Sequence, residues 1–328
     1  MPNVRILSKS QVADLVSLKK AIEVVEDAFT AYQEGQTLIP PVVNLDIEKC
    51  HGEVHIKTAF IESMDTFAVK MASGFYDNPK IYGLPTGSGI LVLSSGKTGR
   101  PLAIMDSAYI TFLRTGASGA LGIKYLAPTQ VDRAAIIGAG INARWQLRGL
   151  MHFRAVREVR VFDIVRDSAA KFALEMSSEL GLPISVAETA SQAVEKVQVI
   201  VTCTPSRAPI IMKDWVRPGT HINAIGADMK GKQELDERLF ETAKVVVDHI
   251  GQGPVFGECE MAVLHGILDV KRIYAEIGQL TSGKKPGRTS AEEVTIYDAT
   301  GVAIQDVAVA TLAYVYAERQ NIGHVIEV

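Results

Sequence analysis

Gly138, Gly140 and Ala143 form a G-x-G-x-x-A turn, and an acid, Asp163, follows it downstream. Each residue type has a mechanical use. Gly138 permits a tight turn, Gly140 lets the backbone approach a pyrophosphate, and small Ala143 lets a helix pack closely on a strand. A helix starting there offers unpaired N–H groups and the positive end of its dipole to phosphates. A carboxylate at Asp163 can accept hydrogen bonds from both hydroxyls of a ribose. Together these residues describe a grip on a dinucleotide. Asp163 also sorts between dinucleotides. A 2′-phosphate about 4 Å from it would meet a repulsion of about 4 kcal/mol at an effective dielectric of about 20. Arg166 and solvent reduce that penalty, but NAD(H) remains the expected cofactor.

The elements that must hold these residues can be read around them. Residues 134–137 are a short, β-branched apolar run fit for a buried parallel strand. Residues 142–153 suit a helix, and a strand at 159–162 ends in Asp163. Glycines at this spacing also serve plain turns, so the strand–turn–helix–strand–Asp order is what makes them specific. Beyond Asp163, helix patterns at 168–180 and 191–197 alternate with strands at 184–187, 199–204, 220–226 and 244–250. That alternation predicts an α/β fold with a Rossmann-type doubly wound parallel sheet, its ligand at the carboxyl ends of the strands.

The earlier part of the chain differs. Ser10 is the expected cap of a short helix over 10–15, and 18–33 carries Ala21, Val24, Val25, Ala28, Phe29 and Tyr32 at helical spacing. Strands follow at 42–46, 52–60, 66–73 and 89–94, then a hairpin turn at 97–100 before 101–105. Such a run of neighbouring strands predicts an α+β domain with much antiparallel pairing. A helix at 110–126 leads into the dinucleotide unit, and a last helix spans 301–319. Residues 284–289, KKPGRT, read as an exposed loop.

The 328 residues suffice for two domains with an ample core. Hydrophobic residues make up 47% and charged ones 22%, the proportions of a soluble globular enzyme. A formal net charge of -3 supplies no basic field for nucleic acid. No apolar run approaches the roughly 20 residues that span a bilayer, so no membrane partner is expected. The opening MPNVRILSKSQ lacks the apolar core of a signal peptide. Cys50, Cys203 and Cys259 lie far apart with no C-x-x-C spacing. That argues against a disulfide framework or a metal site and fits a reducing cytoplasm.

Further segments carry a family likeness: Gly83-Leu84-Pro85, RTGASGA at 114–120, IIGAG at 136–140, TCTPSRAPI at 202–210, HINAIGADMKGKQELD at 221–236 and IYDATGVAIQDVAVA at 296–310. Through them the chain resembles, over nearly its whole length, the family of ornithine cyclodeaminase, mu-crystallin and archaeal alanine dehydrogenase. The later segments look most like the alanine dehydrogenase branch. GEVHIKTAF and GFYDNP look like ectoine-utilisation cyclodeaminase homologues. The resemblance implies a homodimer whose first domain carries the dimer interface and is completed by the C-terminal helix. It thus divides the chain into a substrate-binding and dimerisation domain, 1–120 with 302–328, and an NAD-binding Rossmann domain, 121–301. It also implies a nicotinamide cofactor facing a cleft between domains, and a small amino or imino acid as substrate.

The resemblance marks Lys70, Arg114 and Asp228 as the chemical core. Lys70 lies in Phe67-Ala68-Val69-Lys70-Met71-Ala72, where burial would make its charge costly and lower its pKa toward use as an acid. Its plainer role is a lysine snorkelling at a sheet edge. The planar fork of Arg114 can hold a substrate carboxylate bidentately, worth roughly 1.5–3 kcal/mol, or else make a domain-linking salt bridge. Asp228 follows a strand at its carboxyl edge, where a carboxylate can bind an imino nitrogen or position a water, or simply cap a turn. By the same resemblance Arg114, Thr115, Thr204, Thr300 and Gly301 lie against the cofactor.

Two departures stand out. Val42 occupies a slot where many members place an arginine, and His55 stands where the alanine dehydrogenase branch has another. His55 and Lys57 are two apart on a strand and face one side. Lys57, with His55, is therefore the expected replacement for the carboxylate anchor, although both also suit a plain strand surface.

The leading expectation is an NAD(H)-dependent imine reductase or amino-acid dehydrogenase. Arg114 and Lys70 would hold the carboxylate and polarise or protonate the imine, while Asp228 would orient the nitrogen or a water. Candidate substrates are pyruvate with ammonia, yielding alanine, and iminosuccinate, related to aspartate. The alternative is a cyclodeaminase, a lyase that releases ammonia with catalytic NAD and no net redox change. A third is a cofactor-binding protein without turnover.

Overall fold

Period-two alternation builds the first part of the chain into strands, and longer apolar stripes build its helices. A computed structural model describes residues 3–327; Met1, Pro2 and Val328, which fall in the expected first domain, lie outside the described residues. In chain order the first elements are β1 (Asn3–Leu7), α1 (Lys9–Leu15), α2 (Leu18–Gln33), β2 (Thr37–Leu38), β3 (Val43–Ile47), β4 (Gly52–Ile61), β5 (Thr66–Phe75), α3 (Asn78–Ile81), β6 (Gly87–Ser95), β7 (Pro101–Asp106) and α4 (Ser107–Leu126). Next come β8 (Arg133–Ile137), α5 (Ile141–Phe153), β9 (Glu158–Phe162), α6 (Arg166–Leu180), β10 (Ile184–Val186), α7 (Ala190–Val194), β11 (Val199–Thr202), β12 (Arg207–Ile211), β13 (His221–Ala224) and β14 (Gln233–Leu235). Then follow β15 (Lys244–Val247), α8 (Gly253–Phe256), α9 (Glu260–Leu264), β16 (Ala275–Glu276), α10 (Ile277–Thr281), β17 (Thr295–Asp298), α11 (Ala303–Gln320) and β18 (His324–Glu327). They group into two compact units, Met1–Arg114 with Val302–Val328, and Thr115–Gly301. The division falls inside α4.

The first unit is a largely antiparallel sheet in the order β18-β1-β7-β6-β5-β4-β2, with β3 also paired to β4. Its parallel exception is β1 beside β7. Helices α11 and α2 pack together, and α11 also packs on β4 and β5. Every residue from Ala303 to Ala310 is buried, as an apolar helix wrapped on all sides requires. Ala59, Ile61, Ala68, Leu91, Leu93, Ala103 and Met105 fill the covered face of the sheet. Lys70 sits among these core positions. The alternate residues leave an apolar opposite face, with Val43, Val69, Met71 and Ile90 all exposed.

The second unit is a parallel sheet in the order β10-β9-β8-β11-β13-β17-β15-β16. The chain steps outward from β8 to β10, then returns to β11 on the other side of β8. That reversal is the switch point where such sheets bind ligands. Its core runs through Ala135, Ile137, Ile200, Ile222, Val247 and Ile296. Among the described residues no helix is long and apolar enough to cross a membrane.

Several local expectations need correction. Ser8, not Ser10, caps α1, in a reciprocal box with Gln11. The sequence pattern anticipates neither strands β1, β2, β12, β14, β16, β17 and β18 nor the short helices α3, α8, α9 and α10. β1 pairs with β18 from the far end of the chain, a partnership that no local pattern encodes. β17 is fully buried, but its sequence TIYD has polar residues at both ends and lacks the apolar run that marks β11 and β15. Residues 284–289 are not a plain exposed loop. Arg288 donates to the carbonyls of Leu126 at 2.6 Å and Glu293 at 2.6 Å, and to Thr295 Oγ1 at 2.9 Å. A Pro-Gly loop composition gives no sign that a neighbouring arginine will stitch it down.

Candidate active site

In the first unit, antiparallel register sets Lys57 directly opposite Lys70 across β4 and β5, on the face covered by α11. Lys70 Nζ donates to Asp306 Oδ1 at 2.8 Å and to Thr111 Oγ1 at 3.3 Å. Arg114 Nε stands 3.3 Å from the same Asp306 oxygen, and Arg114 Nη1 donates to Gln305 Oε1 at 3.0 Å. Lys70 and Asp306 are 3% and 2% exposed. Burial, with Arg114 and Lys57 nearby, brings the Lys70 ammonium down to about 7 against the pull of Asp306. Burial works to raise the Asp306 carboxyl, but Lys70 and Arg114 outweigh it and hold Asp306 below its ordinary value. The result is a proton donor poised near neutrality beside a fixed guanidinium.

His55 lies further along β4, with Nδ1 2.6 Å from Asn44 Oδ1 and Nε2 3.6 Å from Glu53. It is thus engaged by its own strand neighbours, whereas Lys57 stands within electrostatic reach of Lys70 and Asp306. Val42 precedes β3 and belongs to no strand.

The second unit holds the glycine-rich turn. Gly138 has φ +93°, and a β-carbon there would stand 2.9 Å from the Cys203 carbonyl, so only glycine fits. Gly140 caps α5 without a side-chain hydrogen bond, and a β-carbon there would meet nothing within 4 Å. Ala143 is fully buried against the sheet, and Asn142 Oδ1 is buried without a partner. An open glycine at a helix start, backed by a closed one, fits a pyrophosphate. Asp163 spans the turn: Oδ2 accepts from Ala139 N at 2.8 Å and Oδ1 from Val165 N at 2.8 Å. Arg166 pairs with Glu188 rather than with Asp163.

Of the remaining residues, Thr204, Thr300 and Gly301 lie in loops of this unit and Thr115 lies within α4. Thr204 N donates to Glu234, and the Thr115 carbonyl accepts from Gln146 Nε2 at 2.8 Å. Thr300 Oγ1 and Gly301 N donate to buried Asp248 at 3.0 and 2.6 Å. Burial raises the Asp248 carboxyl despite these donors. Asp228 is exposed and paired with Lys232 at 2.6 Å.

Lys70, Arg114 and Lys57 are therefore brought together, while Asp228 and the nucleotide-type residues belong to the other unit. Sequence reasoning missed Asp306, Gln305 and Thr111. Asp306 did carry a signal, as the lone acid in the apolar run 302–310. Asp248 carried none, because it lies outside the family segments; Glu234 lies within the segment 221–236, but no spacing there marks it for chemistry.

Fold and residues together define a dinucleotide-type α/β sheet joined to a unit with a buried cationic site. The sequence profile of the Ornithine cyclodeaminase/mu-crystallin family matches residues 3–321, and the chain belongs to that family. An archaeal alanine dehydrogenase, solved as a dimer with bound NAD, is 41% identical with a TM-score of 0.94, covering 99% of this chain and 99% of its own. The Δ1-pyrroline-2-carboxylate reductase of Thermococcus litoralis, solved with NADH and L-proline, is 35% identical with a TM-score of 0.94, covering 98% of this chain and 99% of its own. The iminosuccinate reductase of Paracoccus denitrificans, solved with NAD+, is 30% identical with a TM-score of 0.93 over 100% of both chains.

Proposed function

We propose that this protein is an NAD(H)-dependent imine reductase or amino-acid dehydrogenase, interconverting a small 2-imino acid, formed from a 2-oxo acid and ammonia, with its L-amino acid. The observation that carries this reading is the buried Lys70–Asp306–Arg114 cluster in a chain whose other unit holds a dinucleotide turn. The likeness to a dehydrogenase and two reductases supports it over the cyclodeaminase alternative.

Bound NAD(H) supplies or takes the hydride. The chain's own residues do the rest. Gly138, Gly140, Ala143 and the start of α5 hold the pyrophosphate, and Asp163 the adenosine ribose. Thr115, Thr204, Thr300 and Gly301 line the remainder of the nucleotide. Arg114, held by its Nη1 bond to Gln305 and its ion pair with Asp306, takes the substrate carboxylate on its guanidinium. Lys57 supplies the second cation of that anchor, with His55 setting the polar end of the strand. Lys70 delivers a proton to the substrate nitrogen during reduction and removes it in reverse. Asp228 orients that nitrogen, or the water that exchanges it for oxygen.

The first unit thus acts as the substrate domain and the second as the NAD domain. The apolar outer face of the first sheet supports a homodimer, and a cytoplasmic setting suits the cofactor and the sparse cysteines. Alanine and aspartate, through iminosuccinate, are the candidate products. The test offers NADH and ammonium with pyruvate, oxaloacetate or glyoxylate, and separately ornithine with trace NAD. Stoichiometric NADH loss with a 2-oxo acid is expected. Ammonia release from ornithine without net NADH change would instead make the protein a cyclodeaminase.

A further inference from the structure

We propose that Glu234 is a positioning residue whose buried carboxylate ties the base of the Asp228 loop to the loop bearing Thr204. This rests on the function proposed above, which assigns work to both of those residues. Glu234 is fully buried. Its Oε1 accepts from Thr204 N at 2.6 Å, after β11, and its Oε2 accepts from Gly226 N at 3.0 Å, after β13. Residues 226–234 are therefore closed into a loop by a side chain at one end gripping an amide at the other, with Asp228 on the loop.

The surroundings leave the grip little freedom. A β-carbon on Gly226 would stand 2.2 Å from the Thr204 carbonyl oxygen and 2.5 Å from Glu234 Oε2, so glycine alone permits the two loops to close on the carboxylate. Glu234 is held in turn, because Glu258 Oε1 accepts from the backbone N–H of Glu234 at 2.8 Å and of Leu235 at 2.6 Å. Gly231 N donates to Glu260 Oε2 at 2.8 Å, and Lys232 pairs with Asp228 at 2.6 Å, so the loop is pinned at its middle as well. On the other side Gly138 packs against Cys203 and Thr204, with a β-carbon there 3.0 Å from Thr204 Cγ2. One carboxylate thus ties two strand-end loops together, and the Gly138 turn packs against one of them. The reason is geometric: the two N–H groups approach different oxygens of the carboxylate, so a carboxamide would turn its NH2 group against one of them.

The test compares Glu234→Gln with Asp228→Asn and the wild-type chain. It measures NADH affinity by fluorescence, kcat and KM for NADH-driven reduction of pyruvate with ammonium (or whichever of the three 2-oxo acids the wild type reduces), and the melting temperature. Glu234→Gln is expected to fold, to keep NADH affinity within several-fold, and to lose kcat on the order of 10²-fold, as displacement of a reacting group by about 1 Å does. Asp228→Asn should show a similar kcat loss. A normal kcat in Glu234→Gln beside a crippled Asp228→Asn overturns the proposal and leaves the assigned function standing. Should the wild type reduce none of the substrates, the functional reading falls separately. Hydrogen exchange on the wild-type chain without cofactor then decides the clamp, as it also does if Glu234→Gln does not fold. The Thr204 and Gly226 amides must exchange slowly, and fast exchange at either overturns the proposal.

Discussion

At the scale of single residues, the pairing of Lys70 with Asp306 makes the sharpest prediction. In the proposed mechanism Lys70 serves reduction as its protonated form, and burial first, then Arg114 and Lys57, lower its pKa to about 7. The kcat/KM for reduction should therefore be full below neutrality and fall about tenfold per pH unit above it. Asp306 pulls the other way, stabilising the ammonium, so Asp306→Asn should move that fall to lower pH. Lys70→Met should cost on the order of 10²–10⁴-fold in kcat. A profile unchanged in Asp306→Asn would remove Lys70 from the role of acid. Asp163 makes a second prediction. NADH should bind at least about tenfold more tightly than NADPH, since an acid in the place proposed for Asp163 repels a 2′-phosphate, and equal binding would defeat that reading. Sequence made Gly138, Gly140 and Asp163 legible because their chemistry lies in spacing along the chain. The Asp306 partnership was not legible, because it joins β5 to α11 across 236 positions.

At the scale of elements, most strands and helices follow from periodicity, and three of the missed strands show where it fails. β18 is an edge strand whose partner β1 comes from the opposite end of the chain, and β17 is a central strand whose sequence, TIYD, lacks a continuous apolar run. Local patterns hold no information about either. The loop at 284–289 teaches the same lesson, since Arg288 anchors it to the end of α4 and to the residues around the start of β17. Arg288→Ala should destabilise the parallel-sheet unit by about 2–4 kcal/mol, because several buried carbonyls would lose a charged donor. Chemical denaturation of the variant measures this, and an unchanged midpoint would show that the loop is held by its backbone alone.

At the scale of the whole molecule, two units carry two different chemistries, one cationic and one built to hold a nucleotide. The first unit also carries an apolar sheet face that alternation places opposite Lys70, with Val43, Val69, Met71 and Ile90 exposed on it. A face of this kind marks a protein interface. Met71→Asp should convert a dimer into a monomer in light scattering, and a wild-type chain that is already monomeric would assign the face to another partner. The measurement that bears most directly on the central claim follows the label from NADH deuterated at the nicotinamide C4 during turnover with ammonium and a 2-oxo acid. One deuteron at the α-carbon of the amino acid for each cofactor oxidised is the predicted result. Unlabelled product, or ornithine deaminated with no net change in NADH, would contradict it.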